Sequence, residues 1–283
     1  MLHYNKIGII GLQNNGNTCY LNACLQLLTH SGKFTMKLYN HMKKTEEKNL
    51  TNIEKTLLYL IINKWFTNEI KYNPSKIQSE IALKNDMFDP INFFQNDSSE
   101  SMIYIIDLLN INFSSIFHSK IISNLQCQNC KKTRETEEVF NIISVEIEYH
   151  MNKSIKEFFK KEKLEDKISC DTCDKKTDTY KKYKINSLSE NLIIHLKRFK
   201  EVNNQYIKDR SKIICPDLIT INKTNYELRG VIVHSGRVGG GHYYFIGKNL
   251  TNEWYKYDDI LVKKLNNIDI ISDGYIFYFE KIN

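Results

Sequence analysis

The sequence predicts an α+β fold in which helices come first and a largely antiparallel sheet follows. Before about residue 116, the stretches 20–30, 53–66 and 100–110 carry apolar residues at helical spacing. After that point the chain changes to short β-branched and aromatic runs, separated by polar residues or glycine. Helices and strands that are segregated along a chain, without βαβ alternation, are typical of α+β proteins.

The predicted elements can be placed in chain order. The third helix follows Asp97, and Glu100 three residues later gives this start the form of a capping box. The predicted strands are SKIISNLQC, VFNIISVEI, NLIIHLKRF, LRGVIVHS, HYYFIG and YIFYFEKI. No internal repeat and no Pro/Gly linker divides the chain, so we expect one domain with an inserted excursion that includes the lysine-rich region 151–182.

Composition indicates a globular protein and argues against several classes. The chain has 283 residues, 41% hydrophobic content and 3 prolines, enough to bury a full core. Its net charge of +7 arises from lysines interspersed with glutamates, which indicates a solvated surface rather than a nucleic-acid site. The longest apolar runs, such as 57–62, are far shorter than the roughly 18 residues of a membrane span. Without a secretory signal, we expect a cytoplasmic or nuclear protein.

A thiol near the start of the chain is the first candidate for chemistry. Cys19 follows Gly16, Asn17 and Thr18 and begins an apolar helical run, so it is predicted to lie at a helix start. Unpaired amides and the helix dipole stabilise a thiolate there. Asn14 could fold back and donate a hydrogen bond to a developing oxyanion. The alternative is an inert buried cysteine.

A nucleophilic thiol needs a base, and His242 is the first choice among the eight histidines. It follows three glycines and precedes an aromatic strand, a setting that suits an exposed imidazole. His234, at the end of another strand, is the second choice. A hairpin could return Asp258 or Asp259 beside the imidazole to fix its tautomer, although an acidic doublet also makes ordinary turns.

A second cysteine cluster indicates a metal. The chain has seven cysteines, and two CxxC pairs are separated by a long excursion. Four thiolates satisfy tetrahedral Zn²⁺ and leave no position for water, so we expect a structural rather than catalytic zinc. The predicted ligands are Cys127, Cys130, Cys170 and Cys173.

Together these motifs resemble the ubiquitin-specific proteases. GLQNNGNTCYLNACLQLL (11–28) resembles the family's cysteine box, and NLIIHLKRF (191–199) is similar to its central palm strand. YELRGVIVHSGRVGGGHYYFIG (226–247) and WYKYDD (254–259) resemble its histidine box. The resemblance spans nearly the whole chain, because the CxxC pairs lie between these boxes.

The resemblance implies a papain-like cysteine protease with a helical thumb, a β-rich palm and zinc-bearing β fingers. All of 1–283 would be a single catalytic domain. The thumb would cover 8–115, the fingers 116–190 with the CxxC pairs, and the palm 191–283.

The resemblance also implies a thiol-dependent deubiquitinase, a cysteine-type ubiquitinyl hydrolase. Cys19 would attack the isopeptide or peptide bond after the C-terminal glycine of ubiquitin and form a thioester that water resolves. His242 would be the general base and acid, Asp258 would orient it, and Asn14 would donate to the oxyanion. Asp259 would add an auxiliary polar contact nearby.

The segment FFQNDSSESM (93–102) resembles the family's Gln-Gln-Asp motif, with Asn96 in place of the second glutamine. Asp97 would receive arginines from the tail region of ubiquitin as a charge-assisted pair. The loops at 200–212 and 235–241 resemble the family's blocking loops. The implied substrate-binding residues are Gln95, Asp97, Glu100, Gly240, Gly241 and Tyr243.

Three rival functions remain open at this point. The same chemistry could act on a ubiquitin-like modifier, or the chain could hold ubiquitin without cleaving it. A zinc-ribbon nucleic-acid binder is the third, although scattered lysines do not favour it. We expect ubiquitin and ubiquitinated proteins as partners of a monomer that binds neither nucleic acid nor membrane, with zinc as its only cofactor.

Overall fold

The structure, a computed structural model, describes residues 8–44, 50–88 and 95–282. Short 3₁₀ turns at 86–88, 115–117 and 269–273 join its longer elements. In the described ranges the helices are α1 (Cys19–His30), α2 (Gly32–Lys44), α3 (Asn52–Phe66), α4 (Ser75–Ala82), α5 (Ser98–Leu108), α6 (Ile111–Ser114) and α7 (Met151–Phe158).

The described strands begin near the N-terminus and dominate the chain after residue 118. They are β1 (Gly11–Leu12), β2 (Lys71–Tyr72), β3 (Ser119–Cys127), β4 (Thr133–Phe140), β5 (Ile143–Val145), β6 (Glu162–Lys163), β7 (Ile168–Cys170), β8 (Lys175–Thr177), β9 (Thr179–Ser187), β10 (Asn191–Leu196), β11 (Phe199–Val202), β12 (Gln205–Lys208), β13 (Leu218–Ile221), β14 (Thr224–Arg237), β15 (Gly240–Lys248), β16 (Trp254–Asp258), β17 (Leu261–Lys264) and β18 (Gly274–Lys281). The order of helices first and sheet second confirms the predicted α+β class.

Helix α1 is the central element of the helical half. Every one of its residues is buried, and it packs against α2, α3, α5 and strand β15. Lys64 of α3 is also buried and donates to Gln26 Oε1 at 2.8 Å and Thr29 Oγ1 at 2.9 Å. Burial lowers the pKa of Lys64 well below its ordinary value. These bonds tie α3 to the C-terminal half of α1 and so fix the helix that carries Cys19 at its start.

The larger sheet has the order β17-β16-β15-β14-β18-β10-β5, with β13 added to β14. Its described pairs are antiparallel except β10 with β5, which is parallel. Strands β14, β15 and β18 carry buried aromatic and β-branched side chains on both faces. These three strands are therefore covered on both sides and form the interior of the sheet. The predicted hairpin after His242 is the antiparallel pair β15-β16.

The cysteine-bearing excursion forms a separate sheet with the order β4-β3-β9-β6, next to the β7-β8 hairpin. Strand β3 pairs with β9 over nearly its full length and ends at Cys127. Strand β5 lies within the range predicted for the fingers, but it pairs with β10 of the larger sheet, and α7 packs on β5. The chain therefore returns to the larger sheet between the two halves of the excursion.

Two further sequence predictions can be compared with the structure. Asp97 does cap α5, but its carboxylate accepts from the N–H of Ser99, and no reciprocal bond from Glu100 is found among the described residues. A reciprocal capping box is formed instead by Thr51 and Glu54 at the start of α3. No helix in the part of the chain that the structure describes is both long and apolar enough to cross a membrane.

Candidate active site

Cys19 is the first residue of α1, as predicted, and only 3% of it is exposed. The loop before Cys19 folds around the side-chain oxygen of Asn14. This Oδ1 accepts from the N–H groups of Gly16 at 3.0 Å and Thr18 at 3.2 Å. Gly16 has a φ of 105°, a backbone conformation that favours glycine. The polar approach segment therefore gives the thiol a fixed position at the helix start.

His242 lies on β15 between the thiol and a carboxylate. Its Nε2 is 2.5 Å from Asp258 Oδ1. The contact with the Cys19 thiol is the largest effect on the imidazole and, together with Asp258, outweighs burial and raises the pKa of His242 to about 9. Because Nε2 is bonded to Asp258, Nδ1 is the ring nitrogen that remains for proton exchange with sulfur.

Asp258 ends β16, opposite the strand that carries His242. Its second oxygen, Oδ2, is 2.6 Å from Lys256 Nζ. Burial raises the pKa of Asp258, but the hydrogen bonds from Lys256 and His242 outweigh it, so that the pKa lies below the ordinary value. An ionised carboxylate can fix the imidazole tautomer and stabilise the imidazolium.

Asp259 holds the approach loop against α1. Its Oδ2 accepts from Asn14 Nδ2 at 2.9 Å, and its Oδ1 accepts from Asn22 Nδ2 at 2.8 Å. Its backbone carbonyl accepts from the N–H of Leu12 at 2.8 Å. A primary amide has two N–H donors, so Asn14 keeps one for another acceptor. Asp259 thus orients the residue that was predicted to donate to the oxyanion.

A cavity of about 430 Å³ opens beside these residues, between α5 and the palm strands. Five of the six predicted substrate-binding residues line this cavity. The sixth, Gly241, donates its N–H to the side-chain oxygen of Gln95, which is one of the five. Glu100 is exposed at its rim. The lining includes Gln95, Asp97, Glu100, Gly240, Tyr243 and Tyr275.

The Asp97 carboxylate is already bound by donors of the protein. Oδ1 accepts from the N–H of Ser99 at 2.7 Å and from its hydroxyl at 2.6 Å. Oδ2 accepts from the Tyr275 hydroxyl at 2.7 Å and the Tyr243 hydroxyl at 3.1 Å. Burial raises the pKa of Asp97, but the bonds from Ser99 and Tyr275 outweigh it and the net direction is downward. Asp97 is therefore an anionic group within the cavity wall.

Gln95 connects the helical half to the palm. Its Nε2 lies 3.2 Å from Cys19 Sγ and 2.5 Å from the carbonyl oxygen of Gly241. The neighbouring Asn96 faces elsewhere and donates to the Tyr20 hydroxyl and the Met87 carbonyl. The first two residues of the quoted motif, Phe93 and Phe94, lie outside the described residues.

His234, the second choice for the base, has a different environment. It is buried, and Lys208 Nζ lies 3.0 Å from its Nδ1. Burial, reinforced by the charge of Lys208, lowers the pKa of His234 to about 4. With this lowered pKa, the His234 imidazole would not hold at neutral pH a proton taken from a thiol. The geometry therefore favours His242 as the base.

The four predicted zinc ligands converge, and their sulfur atoms all lie within 4.8 Å of one another. Zinc–thiolate bonds of about 2.3 Å in a tetrahedron require sulfur–sulfur separations of about 3.8 Å. The Cys127–Cys173 pair is at 3.9 Å and the Cys130–Cys170 pair at 3.7 Å. The cluster therefore fits a closed tetrahedral metal site.

Sequence reasoning missed Asn22 and Tyr275, which hold Asp259 and Asp97 in place. Asn22 had a recognisable signal, since it is a polar residue within an apolar helix and lies one turn after Cys19. Tyr275 had none, because it lies in a strand of many aromatics, and only the fold selects it.

Comparison with known proteins agrees with this geometry. A family model described as "Ubiquitin carboxyl-terminal hydrolase" matches residues 10–279. The chain belongs to this family. This match confirms the resemblance to ubiquitin-specific proteases that the cysteine and histidine boxes indicated.

Two relatives of this chain are longer than the chain itself. A protein of Schizosaccharomyces pombe named "Probable ubiquitin carboxyl-terminal hydrolase 16" is 28% identical over 96% of this chain and 66% of its own length. Human "Ubiquitin carboxyl-terminal hydrolase 42" is 27% identical over 95% of this chain and 22% of its own. The chain thus spans less than two thirds of either relative.

Solved structures confirm the fold of this family member. The SAGA deubiquitinating module Ubp8/Sgf11/Sus1/Sgf73 bound to ubiquitin aldehyde matches with a TM-score of 0.81 and 19% identity, over all of this chain and 72% of the matched chain. A variant of the same module bound to monoubiquitin matches with a TM-score of 0.82 and 20% identity, over 99% of this chain and 70% of the matched chain. The predicted architecture of thumb, palm and fingers is that of a fold shared with these structures.

Proposed function

We propose that this protein is a cysteine deubiquitinase that hydrolyses the isopeptide or peptide bond after the C-terminal glycine of ubiquitin. The observation that carries the proposal is that the His242 imidazole contacts both the Cys19 thiol and the Asp258 carboxylate. Family membership, relatives named as ubiquitin hydrolases and neighbours bound to ubiquitin support it.

The chemistry begins with proton transfer from Cys19 to His242, which the raised pKa of His242 favours. The sulfur attacks the carbonyl carbon of the terminal glycine, and the C–N bond breaks as the imidazolium proton passes to the leaving amine. Water then attacks the thioester, His242 takes its proton, and the thiol is released again. Asp258 keeps the imidazole oriented throughout.

The oxyanion would be held at the helix start. The Cys19 N–H and the second N–H of Asn14 are the donors we assign to it. Asp259 keeps Asn14 in position through its carboxylate, so Asp259 contributes as a positioning residue.

The tail of ubiquitin would lie in the cavity between α5 and β15. The ionised Asp97, beside Tyr243 and Tyr275, gives this channel a negative group that suits arginines near the end of the tail. Residues 8–115 would act as thumb, 191–283 as palm, and the excursion within 116–190 as fingers that support the body of ubiquitin. We expect a monomer in the cytoplasm or nucleus, without a nucleic-acid or membrane partner.

Zinc would cross-link the end of β3 to the β7-β8 hairpin through the four cysteine thiolates, and its contribution would be structural. The ligand cysteines of β3 and β7 would thereby fix the outer end of the fingers. Because four thiolates leave no position for water, we assign no catalytic step to the zinc.

A ubiquitin C-terminal electrophile tests the proposal. It should label the wild-type protein at Cys19 and leave Cys19→Ala unlabelled. Cys24→Ala is the matched control, because Cys24 is buried in the same helix with its sulfur 3.2 Å from the Ser98 carbonyl. Labelling of Cys19→Ala would overturn the assignment. Binding without turnover by the wild type would indicate a non-catalytic ubiquitin-binding module, and preferential labelling by another modifier's probe a different specificity.

A further inference from the structure

The side chain of Gln95 makes an unusual set of contacts across the gap between α1 and β15. Its Oε1 accepts from the N–H of Gly241 at 2.9 Å, and its Nε2 donates to the carbonyl of the same residue at 2.5 Å. The same Nε2 lies 3.2 Å from Cys19 Sγ. One carboxamide therefore contacts both the thiol and the palm strand opposite it.

The two-way bond with Gly241 imitates the pairing of two β-strands. In an antiparallel strand pair, two residues at a hydrogen-bonded position face each other, and each donates its N–H to the C=O of the other. A glutamine carboxamide presents an N–H and a C=O along one edge, so it can replace the main-chain N–H and C=O that one residue of an extended chain presents to its partner. Gln95 thus takes the position of a strand laid along β15.

The edge of β15 is open to such a strand at this level. Gly241 faces Gly236 of β14 on one side. On the other side β16 pairs with β15 only from Phe245 to Lys248, so it does not reach Gly241. An extended peptide can add to an unpaired strand edge through its main-chain groups. Gln95 is the group that satisfies Gly241 there in the free protein.

Close packing keeps Gly241 at this position. A Cβ added at Gly241 would lie 2.2 Å from His234 Nε2 and 2.5 Å from the Ser235 carbonyl oxygen. The backbone is therefore packed directly against β14, and its N–H and C=O are held toward Gln95. The thiol lies at the far end of the same carboxamide, where the reacting carbonyl of a substrate must come.

We infer that Gln95 is an intramolecular substitute for the main-chain N–H and C=O of one substrate residue: it occupies the strand position between Gly241 and Cys19 until the tail displaces it. This inference rests on the proposed function, because it takes that gap as the path of the ubiquitin tail. Gln95 is a positioning residue here, which preserves the spacing between sulfur and strand edge in the free protein. The exchange replaces hydrogen bonds of similar kind, so displacement of Gln95 by the tail costs little net hydrogen-bond free energy.

Hydrogen exchange on the free chain tests the strand contact. Replacing Gln95 by Ala removes the acceptor of the Gly241 N–H, so exchange at Gly241 should accelerate about tenfold or more. Gln95→Asn keeps the amide on a side chain one methylene shorter and should behave like Gln95→Ala, because it cannot span the gap. Asn96→Ala is the control, since Asn96 contacts Tyr20 and Met87 instead.

Alkylation of Cys19 by iodoacetamide tests the contact with sulfur. The limiting rate at high pH, where the thiol is fully ionised, reports access to the sulfur and should rise several-fold in both Gln95 variants but not in Asn96→Ala. Unchanged exchange and an unchanged limiting rate would overturn the inference, even if the wild type hydrolyses ubiquitin–rhodamine. Changes in both, in a protein that does not hydrolyse ubiquitin–rhodamine, would support the inference about Gln95 and contradict the proposed function.

Discussion

His242 Nε2 lies 2.5 Å from Asp258 Oδ1, at the end of the β15–β16 pair that is away from the connecting turn. The strand pairing sets this distance, because β15 and β16 are in register from Phe245 opposite Tyr257 onward, and the two residues extend beyond that register on facing strands. The thiol comes from the helical half of the molecule and the imidazole and carboxylate from the sheet. The proposed triad therefore depends on the contact between α1 and β15.

The pH dependence of hydrolysis should follow His242. Its pKa of about 9 lies above the ordinary value of 6.5, so the imidazolium persists below about pH 9 and is lost as pH rises through it. Because this proton goes to the leaving amine, kcat/KM on a ubiquitin substrate should fall across that range. Asp258→Asn removes one cause of the raised pKa, and the alkaline limb should move to lower pH.

Asp258→Asn should also lower kcat/KM by about 10²- to 10⁴-fold, as expected when the orienting carboxylate of a triad is lost. The control is Asp273→Asn, which removes a carboxylate that pairs with Lys212 instead. A pH–rate profile of the three proteins gives both effects. An alkaline limb that stays in place in Asp258→Asn would contradict the role assigned to this carboxylate.

Asn14 and Asp259 should differ in their effect on kcat. Asn14→Ala removes a proposed oxyanion donor and should lower kcat about 10²- to 10³-fold with little change in KM. Asp259→Ala leaves the donor but removes its anchor, so a loss of about tenfold is expected. Gln13→Ala is the control, because Gln13 is exposed in the same loop. Steady-state kinetics would refute this order if Asp259→Ala lost nothing.

The sequence was sufficient to place the candidate residues of the site because the relevant signals are local. A polar, glycine-bearing turn before an apolar helix predicted the position of Cys19, and the hairpin spacing predicted that an acidic residue, Asp258 or Asp259, returns to His242. Paired CxxC spacing likewise predicted four converging sulfurs. Each of these predictions depends on a few neighbouring residues and on one general rule of local structure.

Contacts between distant segments could not be predicted in the same way. No sequence pattern predicts the contact of Gln95 with Gly241 or that of Asp97 with Tyr275. These pairs form only when the start of α5 and the residues before it pack against the strands of the larger sheet. Asp97 was expected to cap its helix and to receive arginines, and the bond from Ser99 is that cap, but the hydrogen bonds from Tyr243 and Tyr275 were not predicted. The placement of β5 in the larger sheet is a further case, since pairing partners are a property of topology.

The two glycines before His242 should respond differently to alanine. Gly241→Ala would place a methyl 2.2 Å from His234 Nε2 and 2.5 Å from a backbone carbonyl, so the free energy of unfolding should fall by about 1–3 kcal/mol. Gly240→Ala meets no heavy atom within 4 Å and should leave stability nearly unchanged. Denaturant unfolding of both variants measures this, and equal midpoints would contradict the close packing at Gly241.

Removal of the proposed zinc should loosen the proposed fingers before it affects the chemistry. The cysteine sulfurs, at 3.7 and 3.9 Å in two of their pairs, are not bonded to one another, so chelation should release the cross-link between β3 and the β7-β8 hairpin. Hydrogen exchange should then accelerate at residues 125–134 and 168–179 while α1 and β15 stay protected. Cys170→Ser should reproduce the effect, and Cys215→Ser should not, because Cys215 lies outside the cluster. Uniform loss of protection, including α1, would show instead that the metal site supports the whole domain.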